Sequence, residues 1–90
     1  MTEFIDEVVT VEFAKRPGPP SAFTWRGVEH RIAQVEHMRR VLDFEHRWFQ
    51  RRHRDYYIVR TETGEVFQLY FHRGPGKRYW VLHKRLDAYP

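Results

Sequence analysis

The sequence predicts an all-β or β-dominated fold: an antiparallel curled sheet or small barrel of about five strands, closing with a C-terminal three-stranded meander. Three observations predict it. Short runs rich in aromatic and β-branched residues recur along the chain, they alternate in polarity with the two-residue period of a strand, and glycine-bearing turn sequences separate them. At 90 residues the chain closes one core, so residues 1–90 are expected to form a single domain.

In chain order, Glu7 to Phe13 comes first, with Val9, Val11 and Phe13 on one side and Val8, Thr10 and Glu12 on the other. It reads as a strand. The segment Lys15-Arg16-Pro17-Gly18-Pro19-Pro20-Ser21 follows, and its prolines remove backbone donors and hold extended geometry, which makes it a connection. Phe23-Thr24-Trp25 then runs through the turn signal Arg26-Gly27 into a further strand, Val28 to Val35, forming a hairpin.

From Glu36 to Arg52 two principles disagree. Met38, Val41, Leu42, Glu45, Trp48 and Phe49 fall at helical spacing, with an acid at the start and arginines at the end as the helix dipole favours, which supports a short helix within 36–50. Against it, Phe44, His46 and Trp48 alternate, and a hairpin from there into Asp55-Tyr56-Tyr57 adds a strand instead.

The meander is Tyr56 to Thr61, Val66 to Phe71 and Tyr79 to Leu82. Glu62-Thr63-Gly64 suits a three-residue hairpin loop whose last position has positive φ, where glycine alone escapes steric cost. That loop sets Val59 against Phe67 and Tyr57 against Leu69. A two-residue loop puts the β-branched Thr63 at positive φ and faces Arg60 onto Phe67, so it loses. The connection Gly74-Pro75-Gly76-Lys77 pairs Phe71 with Trp80 and Leu69 with Leu82, completing one wall of a core. The other face receives Ile58, Val66, Gln68, Tyr70, Tyr79, Val81, His83 and Arg85, a mixture unusual for a face wholly open to water.

Composition excludes several classes. Aromatics at 17% and charged residues at 31% suit a small folded core and are too polar for a membrane span. The start Met1-Thr2-Glu3-Phe4-Ile5-Asp6-Glu7 lacks the basic and apolar stretches of a secretory signal, and with no cysteine a cytoplasmic location is expected. The six histidines show no zinc-motif spacing, so no metal and no cofactor is expected. Ser21 is the single serine, and it stands in the proline-rich connection; Gly74-Pro75-Gly76 is too short for a phosphate loop. Glu62 and Glu65 flank a turn, without a cleft to shift their acidity. Nothing here reads as an enzyme.

Charge offers a functional argument. Between residues 39 and 54 six arginines face two acids, while outside that window ten bases balance ten acids. The candidate nucleic-acid-binding residues are therefore Arg39, Arg40, Arg47, Arg51, Arg52 and Arg54, with Trp48 as a stacking ring, because guanidinium forks grip phosphates and rings stack on bases. The competing interpretation makes the arginines a solvated rim and Trp48 part of the core.

Trp25-Arg26-Gly27 before a strand, Arg54-Asp55-Tyr56-Tyr57, Gly64, Leu69-Tyr70, and Tyr79-Trp80-Val81-Leu82 before Asp87 together resemble a bacterial family of small proteins of unknown function. The same pattern is similar to the C-terminal module of the inactive Y-family DNA polymerase homologue of the bacterial mutasome. The resemblance covers about Phe23 to Asp87 and rests on aromatic and turn positions, which keep a fold. It implies a stand-alone relative of an interaction module used near DNA in damage tolerance, without polymerase chemistry, since no palm acids are present. It also favours a strand over a helix before Arg54, because Trp48-Phe49 resembles the paired tryptophans there in that module. Two function classes follow: a protein-docking module whose open face is lined by Tyr56, Tyr70 and Tyr79, and a nucleic-acid binder using the arginines.

Overall fold

The structure is a computed structural model, describing residues 2–41, 54–73 and 78–87. Six strands, β1 (Glu3–Glu12), β2 (Ala22–Trp25), β3 (Val28–Val41), β4 (Arg54–Thr61), β5 (Val66–His72) and β6 (Tyr79–Leu86), close into an antiparallel barrel. Each strand pairs with its neighbours in sequence, and β1 returns to pair with β6. Closure satisfies the outer ladder groups that an open sheet leaves exposed.

The meander forms in the expected register. Val59 stands opposite Phe67 and Tyr57 opposite Leu69, while Phe71 faces Trp80 and Leu69 faces Leu82. Gly64 has φ +90°, its N–H donates to the Thr61 carbonyl at 2.9 Å, and the Thr61 N–H donates to the Glu65 carbonyl at 2.8 Å. Residues 74–77 lie outside the described residues.

Side chains on the inner rows make the core. Val9, Phe23, Val59, Phe67, Leu69 and Leu82 are buried together, with Ile5, Val11, Trp25, Ile32, Val35, Tyr57 and Trp80 packed against them. Phe67 sits at the centre: its ring meets Phe23 edge-on at 5.3 Å, Trp25 at 6.3 Å and His30 at 5.6 Å. Burying such a ring stabilises the fold by roughly 1.5–3 kcal/mol in transfer alone.

The expected small antiparallel barrel of about five strands forms with six. Three narrower expectations are corrected. The first strand begins at Glu3, not Glu7, because β6 offers partners upstream: Glu3 faces Arg85 and Phe4 faces Lys84, across a bulge that Asp6 accommodates at φ +51°. It ends at Glu12, leaving Phe13 outside the ladder, where its ring meets Trp80 at 6.0 Å.

The second concerns residues 36–50, where helix and strand were both open, and the described part is strand. Residues 36–41 belong to β3, which runs beside β4 from Ile32 opposite Thr61 to Val41 opposite Arg54. Met38 is 44% exposed as a strand residue. The strongly β-prone partner Arg54–Thr61 supplies a ladder instead, so tertiary pairing overrides the period. Residues 42–53, including the Phe44-His46-Trp48 alternation, lie outside the described residues.

The third concerns Arg85. Simple alternation places it beside His83 and Val81, but a bulge between Gln68 and Leu69 of the β5–β6 register sets Lys84 opposite Gln68 and Arg85 opposite Phe67. Arg85 then reaches Glu65 at 3.2 Å and Glu3 at 3.6 Å.

Candidate functional site

The outer surface of the barrel brings the sequence-selected tyrosines together. Through the successive registers Arg39, Tyr56, Tyr70, Val81 and Val8 stand opposite one another on β3, β4, β5, β6 and β1. Arg54, His72 and Tyr79 form the adjacent row. A strand sends alternate side chains to opposite faces, so Tyr56 and Tyr70 point outward while Tyr57 and Leu69 go to the core.

Packing within this face is dense. The Tyr56 and Tyr70 rings are 5.4 Å apart. His83 lies 5.7 Å from Tyr70 and 6.3 Å from Tyr56, and Phe4 meets His83 edge-on at 5.8 Å. Tyr79 stacks on His72 at 5.0 Å, their planes 4° apart. These rings cover Val81, which is buried although it faces outward.

Cations sit among the rings. The Arg54 guanidinium lies 4.6 Å from the Tyr70 ring centre and donates from Nη1 to the Tyr56 hydroxyl at 3.1 Å. Arg39 lies 6.0 Å from the Tyr56 ring and Lys84 Nζ 5.5 Å from Phe4. A cation over a ring face is held by the ring quadrupole. The Tyr56 hydroxyl, as acceptor, holds Arg54 above the usual guanidinium range, so it stays charged at all ordinary pH. Asp6 is the nearby acid, and it is bonded to His83 Nδ1 at 2.7 Å.

Of the remaining candidates, Arg40 is turned away from Arg39 and pairs with Asp55 at 3.0 Å, with Arg73 on the other carboxylate oxygen at 3.3 Å. This buried carboxylate and its two arginines close one end of the barrel beside Tyr57, Phe71 and Trp80. Arg47, Trp48, Arg51 and Arg52 lie outside the described residues. Sequence reasoning placed His83 on this face and missed Phe4 and Lys84. Phe4 preceded the segment read as the first strand, and the bulge at β6 displaced Lys84.

Other features are structural. Glu7 accepts from Trp25 Nε1 at 3.1 Å and pairs with Arg26, whose hydrogen bond holds the Glu7 carboxyl below its ordinary range. A cleft of ≈ 270 Å³ lies between the start of β3 and the β4–β5 turn, and one of ≈ 320 Å³ between the β1–β2 connection and β3. Among the described residues no group of three or more His, Asp or Glu is placed to hold a metal ion, and no helix is long and apolar enough to cross a membrane.

A family model described as a domain of unknown function, DUF6504, matches residues 1–87, a span that contains all six strands and the whole outer face. The chain belongs to the DUF6504 family. Comparison with curated proteins and with solved structures gives no match. In this DUF6504 barrel the His83 imidazole has the Phe4, Tyr56 and Tyr70 rings and the Asp6 carboxylate as neighbours, and the Ser21 hydroxyl donates to the Glu12 carbonyl at 3.1 Å.

Burial raises the Tyr57 and Tyr70 phenols above their ordinary value of 10.0, with Asp55 adding to the effect at Tyr57 and Arg54 opposing it at Tyr70. A phenol with a raised folded-state pKa contributes stability that is complete below pH 10 and is lost as pH rises through the folded value. The melting temperature is therefore predicted to fall above pH 10, and Tyr57→Phe to flatten that fall. An unchanged alkaline slope in Tyr57→Phe would remove the assignment.

Proposed function

We propose that this DUF6504 chain is a non-enzymatic accessory module, cytoplasmic, that works by docking an anionic partner on the outer face of β4, β5 and β6. One observation carries this reading: Tyr56, Tyr70 and Tyr79 share a face with three cations, Arg39, Arg54 and Lys84, beside a single acid, Asp6, that is hydrogen-bonded to His83 among the described contacts of these rings. Aromatic surface supplies contact area at small conformational cost, and unbalanced cations steer an acidic partner toward it. The resemblance to the mutasome module supports a role near DNA in damage tolerance.

Two partner classes suit such a face, an acidic protein surface and a nucleic acid. The nucleic-acid reading gains from Arg39 and Arg54 being on the tyrosine face, where the sequence had treated arginines and tyrosines as separate candidates. Retention on a heparin column, a generic polyanion, tests the shared reading. The wild-type chain is expected to be retained at low salt and the double variant Arg39→Ala, Arg54→Gln to elute markedly earlier. Equal loss in Lys15→Ala, Arg16→Ala, the same charge change on the β1–β2 connection, would show that net charge alone is responsible.

A further inference from the structure

The rings on the outer face form a continuous row across the strands. Phe4 on β1, His83 on β6, Tyr70 on β5 and Tyr56 on β4 follow one another at centroid separations of 5.8, 5.7 and 5.4 Å. Lys84 stands at the Phe4 end, Arg54 in the middle against Tyr70, and Arg39 at the Tyr56 end. A cation therefore stands over each of Phe4, Tyr70 and Tyr56, with the Asp6 carboxylate beside His83.

We infer that this row is a track for single-stranded nucleic acid running across β1, β6, β5 and β4, with bases laid against Phe4, Tyr70 and Tyr56 and phosphates drawn to Lys84, Arg54 and Arg39. The inference rests on the docking reading above and assigns it a ligand class. A single strand presents one flat π surface and one negative charge per residue, which is the combination the row offers. An acidic peptide brings the charge without a ring at each step. Duplex hides its base faces in the stack, so it gains from the cations alone.

The row also has the exposure that stacking needs at its open end. Phe4 is 67% exposed and Tyr79, one row away, 37%. Tyr56 and Tyr70 are half-buried, and Arg54 lies over the Tyr70 ring while donating to the Tyr56 hydroxyl, which fixes their tilt before a ligand arrives and lowers the ordering cost of binding. Arg54 itself is placed at a cost, since its Nε is enclosed without an acceptor. The histidine in the row, His83, is oriented by Asp6, so the ring adjoining Phe4 is fixed as well.

Fluorescence anisotropy with a labelled twelve-residue oligothymidylate tests the assignment, beside the same length of mixed-sequence duplex and a twelve-residue polyglutamate. The single strand is expected to bind more tightly than either competitor, with log Kobs falling against log salt at a slope of about −2, as neutralising roughly three phosphates requires. Phe4→Ala removes an exposed ring and leaves the core intact; Tyr56→Leu keeps apolar bulk while removing the π surface. Each is expected to weaken single-strand binding roughly tenfold with far-ultraviolet circular dichroism unchanged, while Lys15→Ala, Arg16→Ala has less effect.

Duplex binding as tight as single strand, or ring variants that bind like wild type, would overturn the track. Polyglutamate bound through Arg39 and Arg54 with oligothymidylate ignored would overturn it too, while leaving the docking reading in place. If none of the three ligands binds at low salt, both readings fail together.

Discussion

Phe67→Ala is expected to lower stability by about 3–5 kcal/mol, the largest effect of any single substitution considered for this barrel. Phe67 is fully buried and its ring is the one against which Phe23, Trp25 and His30 converge from β2 and β3. Removing it takes away the transfer free energy of a benzyl group and leaves a cavity bounded by three other rings that cannot all collapse inward. A domain of this size has total stability of roughly 5–15 kcal/mol and loses about 4–8 °C of melting temperature per kcal/mol. The variant should therefore melt more than about 12 °C below wild type, or be unfolded at room temperature. Tyr79→Ala, which gives up one stacking contact on the outer face, should melt close to wild type. A Phe67→Ala protein with near-native melting would contradict the inner-row assignment of the meander.

Asp55→Ala is the second. Its carboxylate is buried and joins Arg40 of β3 to Arg73 beyond β5, so its loss removes two charge-assisted contacts and leaves cations at the barrel end. Both arginines are partly exposed, 51% and 32%, and can turn to water, which limits the cost to about 1–3 kcal/mol. Arg40→Ala should cost less than Asp55→Ala, because Arg73 still holds the carboxylate. Thermal melts of the two variants separate the cases. If Arg40→Ala proves the more damaging, the carboxylate is not the hub of the group.

Much of the fold was legible because turn chemistry and alternation agreed. Gly64 had to take positive φ, and once it did, Val59, Tyr57, Phe67 and Leu69 could align in only one register. What was not legible was governed by partners distant in sequence. Glu3 to Asp6 fell before the segment read as the first strand, yet β6 pulls it into the ladder through Arg85 and Lys84. Residues 36–41 carried a helical period that lost to the β4 ladder. Barrel closure itself, β1 onto β6, depends on residues about 77 apart, such as Asp6 and His83, and no local pattern encodes it.

The candidate site was half visible. Tyr56, Tyr70 and Tyr79 were chosen by alternation and do share a face. The arginines were chosen as a run, and a run does not survive a strand: Arg39 joins the tyrosines while Arg40, its neighbour, faces the Asp55 end. Only cross-strand register shows that Arg54 belongs among the rings, and that Phe4 extends them beyond His83.

Backbone amide mapping by two-dimensional NMR with oligothymidylate at low salt tests the outer face most directly. Shifts concentrated at residues 54–56, 70–72 and 79–84, with Phe4 among them and core amides such as Val59 little moved, are the predicted result. Shifts centred instead on the β1–β2 connection, or spread evenly over every basic residue, would contradict it.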